Sequence, residues 1–252
     1  MDKVLNLYKK RGETPLECIY RFKMVNPEYA DKPMTYAGRL DPLAEGVLVV
    51  LSGEAVHTKE DYLALPKDYE VDVLFGVSTD TYDVLGIATG LSVAPVDTSL
   101  AEEKLKNFSG RHTLSYPPYS SKTVNGKPLF AYARAGNIDS INIPTKEVDI
   151  YLLECESWKE LSSNEVFTGI RSAINSVQGD FRQEASLAQW QKLLDGKDFK
   201  FMLAHIHVSC SSGAYMRSLA HEWGKAIGVP ALAYRIFRTK VGDFDVAHSE
   251  VF

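Results

Sequence analysis

The residue of this 252-residue chain best suited to chemistry is Asp41, in the stretch YAGRLDPLAEGVLVVLSGEA at 36–55. It stands between Leu40 and Pro42, two residues after Arg39, and an apolar strand-like segment follows it. Glycoside hydrolysis needs two carboxylates, and nothing ties Glu45 or Glu54 to Asp41. Metal hydrolysis needs clustered histidines and acids. His205 and His207 form an HxH with no evident third ligand, which reads more simply as ordinary histidines. No GxSxG nucleophile elbow and no glycine-rich phosphate loop occurs. A single Asp can still serve as a nucleophile or an electrostatic stabiliser. A buried carboxylate stays charged only beside an opposite charge; Arg39 nearby and Arg217 far along the chain are the candidates. The alternative is a Leu-Asp-Pro turn in which Asp41 bonds neighbouring backbone amides.

The elements around these residues follow from hydrophobic period. DYEVDVLFG (68–76) alternates, with Tyr69, Val71, Val73 and Phe75 on one face, and reads as a half-buried strand. FMLAHIHVSC (201–210) alternates in the same way. SLAEEKLKNF (99–108) predicts a helix opened by a Ser99–Glu102 capping box, with Ala101, Leu105 and Phe108 inward. SLAQWQKLL (186–194) predicts a helix with Leu187, Trp190 and Leu194 inward. GAYMRSLAHEWGKAIG (213–228) carries a Met216, Leu219, Trp223 and Ile227 stripe and stops at Gly228 and Pro230. STDTYDVLG (78–86) and YPPYSSKTVNGKPL (116–129) read as loops. Strands and helices mix without βαβ alternation, which predicts an α+β fold around a mixed, largely antiparallel central sheet flanked by helices and loops.

The length suits one large domain or two small ones, and 45% hydrophobic residues can form a sizeable core. Three cysteines without a CxxC pair argue against a disulfide framework or structural zinc and fit a cytoplasmic setting. No apolar run is long enough for a membrane span. Net charge is −5, yet two stretches are basic. Residues 111–146 hold Arg111, Lys122, Lys127, Arg134 and Lys146 with one acid, Asp139. Residues 213–242 hold Arg217, Lys225, Arg235, Arg238 and Lys240 with one acid, Glu222. Charge alone makes these solvated faces.

YAGRLDPLAEGVLVV resembles the catalytic motif of the TruB-family pseudouridine synthases through Gly38, Leu40, Asp41, Pro42, Ala44, Gly46 and Leu48. Further similarities follow in family order: LNLYKKRGETP with Lys9, Gly12 and Thr14; KDYEV with Tyr69; and GVSTDTYDVLG with Thr79, Asp80, Thr81, Asp83 and Gly86. YPPYSSKTVNGKPLFAYARAG, CSSGAYMRSLAHEWG and IFRTKVGDF complete the series. The resemblance implies the pseudouridine synthase catalytic fold as one domain over 1–252, without the PUA-like domain with which family members usually continue. It implies isomerisation of the T-loop uridine at position 55 of tRNA, with no cofactor and no metal. Asp41 would be the nucleophile, Tyr69 would stack on the flipped uracil and could help remove the C5 proton, and Arg217 would hold Asp41. Tyr215, Asp80 and Ile236 would surround the base. Tyr36, Lys9, Arg39, Lys122, Arg134 and Arg238 would bind RNA, and both basic stretches would form the RNA face.

Three departures bear on these expectations. Tyr36 stands where the family usually has His, and Phe237 where it has Arg. The Arg39-Leu40-Asp41 triplet resembles that of RluA-type synthases, which modify other RNAs. Another RNA substrate, or a non-catalytic tRNA-folding role, is therefore the alternative to T-loop isomerisation. The expected partner is the T-loop and T-stem of tRNA, bound by a monomer without a membrane or an obligate protein partner.

Overall fold

The computed structural model describes residues 3–252. The strands are β1 (Lys3–Lys9), β2 (Met34–Ala37), β3 (Ala44–Ser52), β4 (Lys67–Phe75), β5 (Val77–Thr79), β6 (Ala88–Leu91), β7 (Gly110–Ser115), β8 (Thr123–Val124), β9 (Lys127–Pro128), β10 (Thr145–Ser162), β11 (Lys200–Cys210), β12 (Ala231–Val241) and β13 (Phe244–Asp245). The helices are α1 (Pro15–Val25), α2 (Lys59–Leu63), α3 (Thr98–Lys106), α4 (Leu129–Arg134), α5 (Ser163–Ser176), α6 (Gln183–Leu194) and α7 (Met216–Ala226).

One sheet organises the molecule in the order β1-β3-β12-β4-β11-β10-β7, with β2 beside β3 and β13 beside β12. Every pairing in it is antiparallel except β3 with β12, as the mixed, largely antiparallel expectation required. The alternation of β4 sends Tyr69, Val71, Val73 and Phe75 to one face, where α3 and α7 cover them. Trp223 of α7 meets the Phe75 ring edge-to-face at 4.8 Å and donates its indole N–H to Ala101 O at 2.8 Å. Full burial of such a ring contributes about 2–3 kcal/mol. On the other face Leu74, Phe201 and Leu232 pack under α5 and α6 with Ile170 and Trp190.

The cap of α3 corrects the sequence reading. Asp97 accepts from Leu100 N at 3.0 Å, so Ser99 lies inside the first turn. Glu102 instead accepts the Trp158 indole N–H at 2.8 Å. The short acid before the helix out-competes the serine two residues on because its carboxylate reaches the free N–H groups of the first turn. Helix α7 begins three residues later than Gly213, after Tyr215 at its N-cap.

Candidate active site

Residues 38–43 join β2 to β3 and carry Asp41. Gly38, at φ +88°, turns the chain out of β2. Leu40 and Leu43 are buried on either side of Asp41, pinning the loop so that the carboxylate between them stays accessible. Two buried cations hold the loop's carbonyls. Lys9, at the end of β1, donates to Pro42 O and Ala44 O at 3.2 and 2.6 Å. Arg238, on β12, donates to Val47 O and Gly38 O at 2.8 and 3.1 Å. Gly46 lets β12 come close enough, since a Cβ there would meet Arg238 O at 2.2 Å. Burial pushes the Lys9 ammonium down to about 8.

The partner of Asp41 is Arg217, 176 residues away in sequence. Arg217 Nε and Nη2 donate to the two carboxylate oxygens at 2.8 and 3.0 Å, a two-toothed fork. Nη1 donates to Thr81 O at 2.8 Å, and Nη2 also reaches Tyr119 O at 3.3 Å. The Asp83 carboxylate lies 3.7 Å from Nε, itself accepting from the Thr81 hydroxyl and from Leu85 N. The guanidinium is buried while the Asp41 side chain is a quarter exposed. Burial works against the Arg217 charge, but Asp41 and Asp83 outweigh it and raise its pKa. Burial pushes the Asp83 carboxyl up, with Arg217 opposing.

Two chambers meet at Asp41. One, of about 680 Å³, is walled by Leu40, Ala44, Tyr69, Met216 and Ile236, with Lys67, Lys122 and Lys146 around it. The other, of about 330 Å³, is walled by Leu85, Tyr119, Phe130 and Phe181, with Arg134 and Arg182. Asp41, Arg39, Leu40 and Tyr215 line both. Burial pushes the Tyr69 and Tyr215 phenols up to about 12, so both are neutral rings at neutral pH. Tyr69 offers the larger chamber a ring face.

The family model for the TruB family pseudouridylate synthase (N terminal domain) matches residues 28–175. The chain belongs to the TruB family. A tRNA pseudouridine synthase B from Oceanobacillus iheyensis is 31% identical over the whole chain, which spans 69% of that relative. One from Geobacillus thermodenitrificans is 31% identical over 98% of the chain and 69% of the relative. Among solved structures, a chain of a Cbf5-Nop10-Gar1 complex superposes with a TM-score of 0.57 at 18% identity. That likeness covers 96% of this chain and 49% of the other, so this chain spans about half the matched structure. At that identity it shows the shared fold.

The TruB motifs converge from distant parts of the chain, but not every residue expected at the site reaches it. Asp41, Arg217, Tyr69, Tyr215, Ile236, Arg39, Lys122 and Arg134 all line a chamber. Lys9 does not: its ammonium is buried behind the loop and spent on carbonyls, so it positions Asp41 rather than binding RNA. Arg238 edges the larger chamber, yet its guanidinium donates to Gly38 O of the same loop and to Val47 O of β3. Asp80 lines neither chamber; it pairs with Arg182 at 2.8 Å and accepts from Ile87 N. Tyr36 also lines neither, and packs beside α1 with the Arg39 guanidinium 5.9 Å from its ring centre.

The second basic stretch is not the surface expected of it. Arg217 and Arg238 are buried, Arg235 is paired with Glu45 and Lys225 with Glu222. Sequence reasoning passed over Asp83 as a functional partner and did not find Lys67 or Arg182. Lys67 was signalled by register, since it precedes Tyr69 by two residues and shares its face of β4. Arg182 carried no signal: its guanidinium reaches Asp80 and lies 4.4 Å over Tyr119 through tertiary contact alone.

Proposed function

We propose that this chain is a tRNA pseudouridine synthase that isomerises a T-loop uridine, at position 55, with Asp41 as the nucleophile. The observation that carries the reading is the fork from buried Arg217 to Asp41, set where Tyr69 and Ile236 wall a chamber. The names of the relatives point to tRNA.

The reaction moves no atoms in or out. The bond from N1 of the base to C1′ of the sugar breaks, the base turns, and C5 joins C1′. The C5 proton leaves and N1 gains one. Arg217 occupies one lone pair on each Asp41 oxygen, and a carboxylate has about four such sites, so the remainder face the substrate. Tyr69 and Ile236 supply the apolar walls that an extruded base needs in exchange for lost stacking. The Tyr69 ring stacks on the extruded base, and the C5 proton is released to water. Arg39, Lys122 and Lys146 at the rim supply the phosphate contacts.

The test is incubation of the wild type and Asp41→Asn with an unmodified tRNA transcript, mapping product by carbodiimide treatment and primer extension. Pseudouridine at position 55 with the wild type and none with the variant is the expected result. Product at another position reassigns the substrate. Equal product from both proteins removes Asp41 as nucleophile. Retained RNA binding without product from the wild type overturns catalysis in favour of a tRNA-folding role.

A further inference from the structure

Tyr82 holds a left-handed backbone conformation, φ +64°, that bulky side chains rarely adopt. Glycine would meet that conformation without strain, so a tyrosine there implies work for the side chain. Its ring lies flat on the His221 imidazole, with centroids 3.8 Å apart and planes within 7°. His221 is one turn beyond Arg217 on α7, on the same side of the helix. The residues flanking Tyr82 are the ones that face Arg217: Thr81 O accepts from Nη1, and the Asp83 carboxylate stands 3.7 Å from Nε. Helix α7 thus grips segment 81–83 at two points, by hydrogen bonds from Arg217 and by a ring stack from His221. On the far side Tyr82 O accepts from Ala233 N of β12 at 3.0 Å, so the segment is wedged between helix and sheet. The His221 Nδ1 is buried and unpartnered among the described residues, so no hydrogen bond from that atom orients the ring and the stack remains.

We propose that Tyr82 and His221 are positioning residues for the reaction: their stack locks segment 81–83 against α7 and so fixes Arg217 at the angle that presents Asp41. The inference rests on the catalytic reading above. In the smaller chamber the buried Ser120 hydroxyl also lacks a partner among the described residues, but that chamber borders Asp41 and belongs to the site already described.

The test compares Tyr82→Gly, Tyr82→Phe and His221→Ala in the full chain by turnover on tRNA. A second readout is solvent exchange of the Arg217 Nε–H, seen by nitrogen NMR and assigned by its loss in Arg217→Lys. Tyr82→Gly and His221→Ala are expected to lose about ten-fold or more in kcat with KM held within about two-fold, and to speed Nε–H exchange by a similar factor, as loss of an orienting contact predicts. Tyr82→Phe keeps the ring and is expected to match the wild type. A glycine variant with wild-type kcat and unchanged exchange overturns the proposal, as does a phenylalanine variant as poor as glycine. If Tyr82→Gly does not fold, His221→Ala decides by the same criteria. If the wild type makes no pseudouridine, the catalytic reading has failed and the exchange measurement alone decides the clamp.

Discussion

Residues 111–146 and 213–242 carry five lysines and arginines and one acid each, yet the fold uses them in opposite ways. In the first stretch Lys122, Lys127 and Lys146 are exposed, and among the described residues none of them is in an ion pair. In the second, Arg217 and Arg238 are buried and face inward onto Asp41 and its loop. Those three lysines are free to meet phosphates, whereas Arg111 and Arg134 pair at the surface with Asp149 and Asp180. In the second, Arg217 and Arg238 build the carboxylate's surroundings, where low dielectric makes each contact count for more. Local charge density therefore reports on RNA binding only after burial is known.

Substitutions separate the two regions, and the largest effect is expected inside the second. Arg217→Met leaves Asp83 buried beside no cation and frees Asp41, so kcat should fall by about 10³-fold and stability by roughly 3–5 kcal/mol. Turnover on tRNA and urea denaturation measure the two. Arg217→Lys should recover little of the activity, because an ammonium cannot form the two-toothed contact. Next in size, Arg238→Met strands the carbonyls of Gly38 and Val47 and should cost about 1–3 kcal/mol, with a kcat loss that follows the loosened loop. A crystal structure of that variant with the 38–43 loop unmoved and kcat unchanged would remove its positioning role.

The first region should respond in binding alone. Lys122→Ala with Lys146→Ala should raise KM several-fold and flatten the dependence of log Kd on log salt by about 0.7–0.9 per lost phosphate contact. Its kcat and melting temperature should stay at wild-type values. If the pair lowers kcat instead, these lysines act on the reacting nucleotide and the contrast between the regions fails. Lys225→Ala, which breaks only the exposed pair with Glu222, should change stability by less than about 1 kcal/mol.

A pH measurement sharpens the account of buried cations. Burial, then the neighbouring Arg238, pushes the Lys67 ammonium down to about 8, against about 10.4 in an unfolded chain. As pH rises the folded state loses that proton first, so between about 8 and 10 the unfolded state binds more protons and Lys67 adds stability with rising pH. The thiols of Cys18 and Cys210, pushed up to about 12 by burial, act in the opposite direction. Comparing Lys67→Met with the wild type at each pH isolates the lysine. The variant should lose ground by about 1–3 kcal/mol between pH 7.5 and 10; a constant difference by urea denaturation would mean that Lys67 is not desolvated when folded.

Much of the fold was legible in local pattern. The alternation in 68–76 placed Tyr69 on the buried face of β4, and the stripe of α7 placed Trp223 against it. These succeed because side-chain direction in a strand or helix is set by period alone. The capping box of α3 failed because Asp97 and Ser99 were both chemically able to cap, and backbone direction chose between them. At the site, the Leu-Asp-Pro turn and the TruB motifs marked Asp41 and Arg217, while Asp83 passed as loop chemistry although it faces the same guanidinium.

By itself, then, the sequence determined the family, the sheet-and-helix composition and the identity of the central carboxylate, because motifs and periodicity are properties of neighbouring residues. The tertiary structure alone decided which cations are spent indoors. Lys9 and Lys122 are the same residue type, yet one is sealed behind the Asp41 loop and the other stands at the chamber rim. That difference lies in the register of β3 between β1 and β12, which brings two buried cations to the carbonyls of one loop, and no local pattern encodes it.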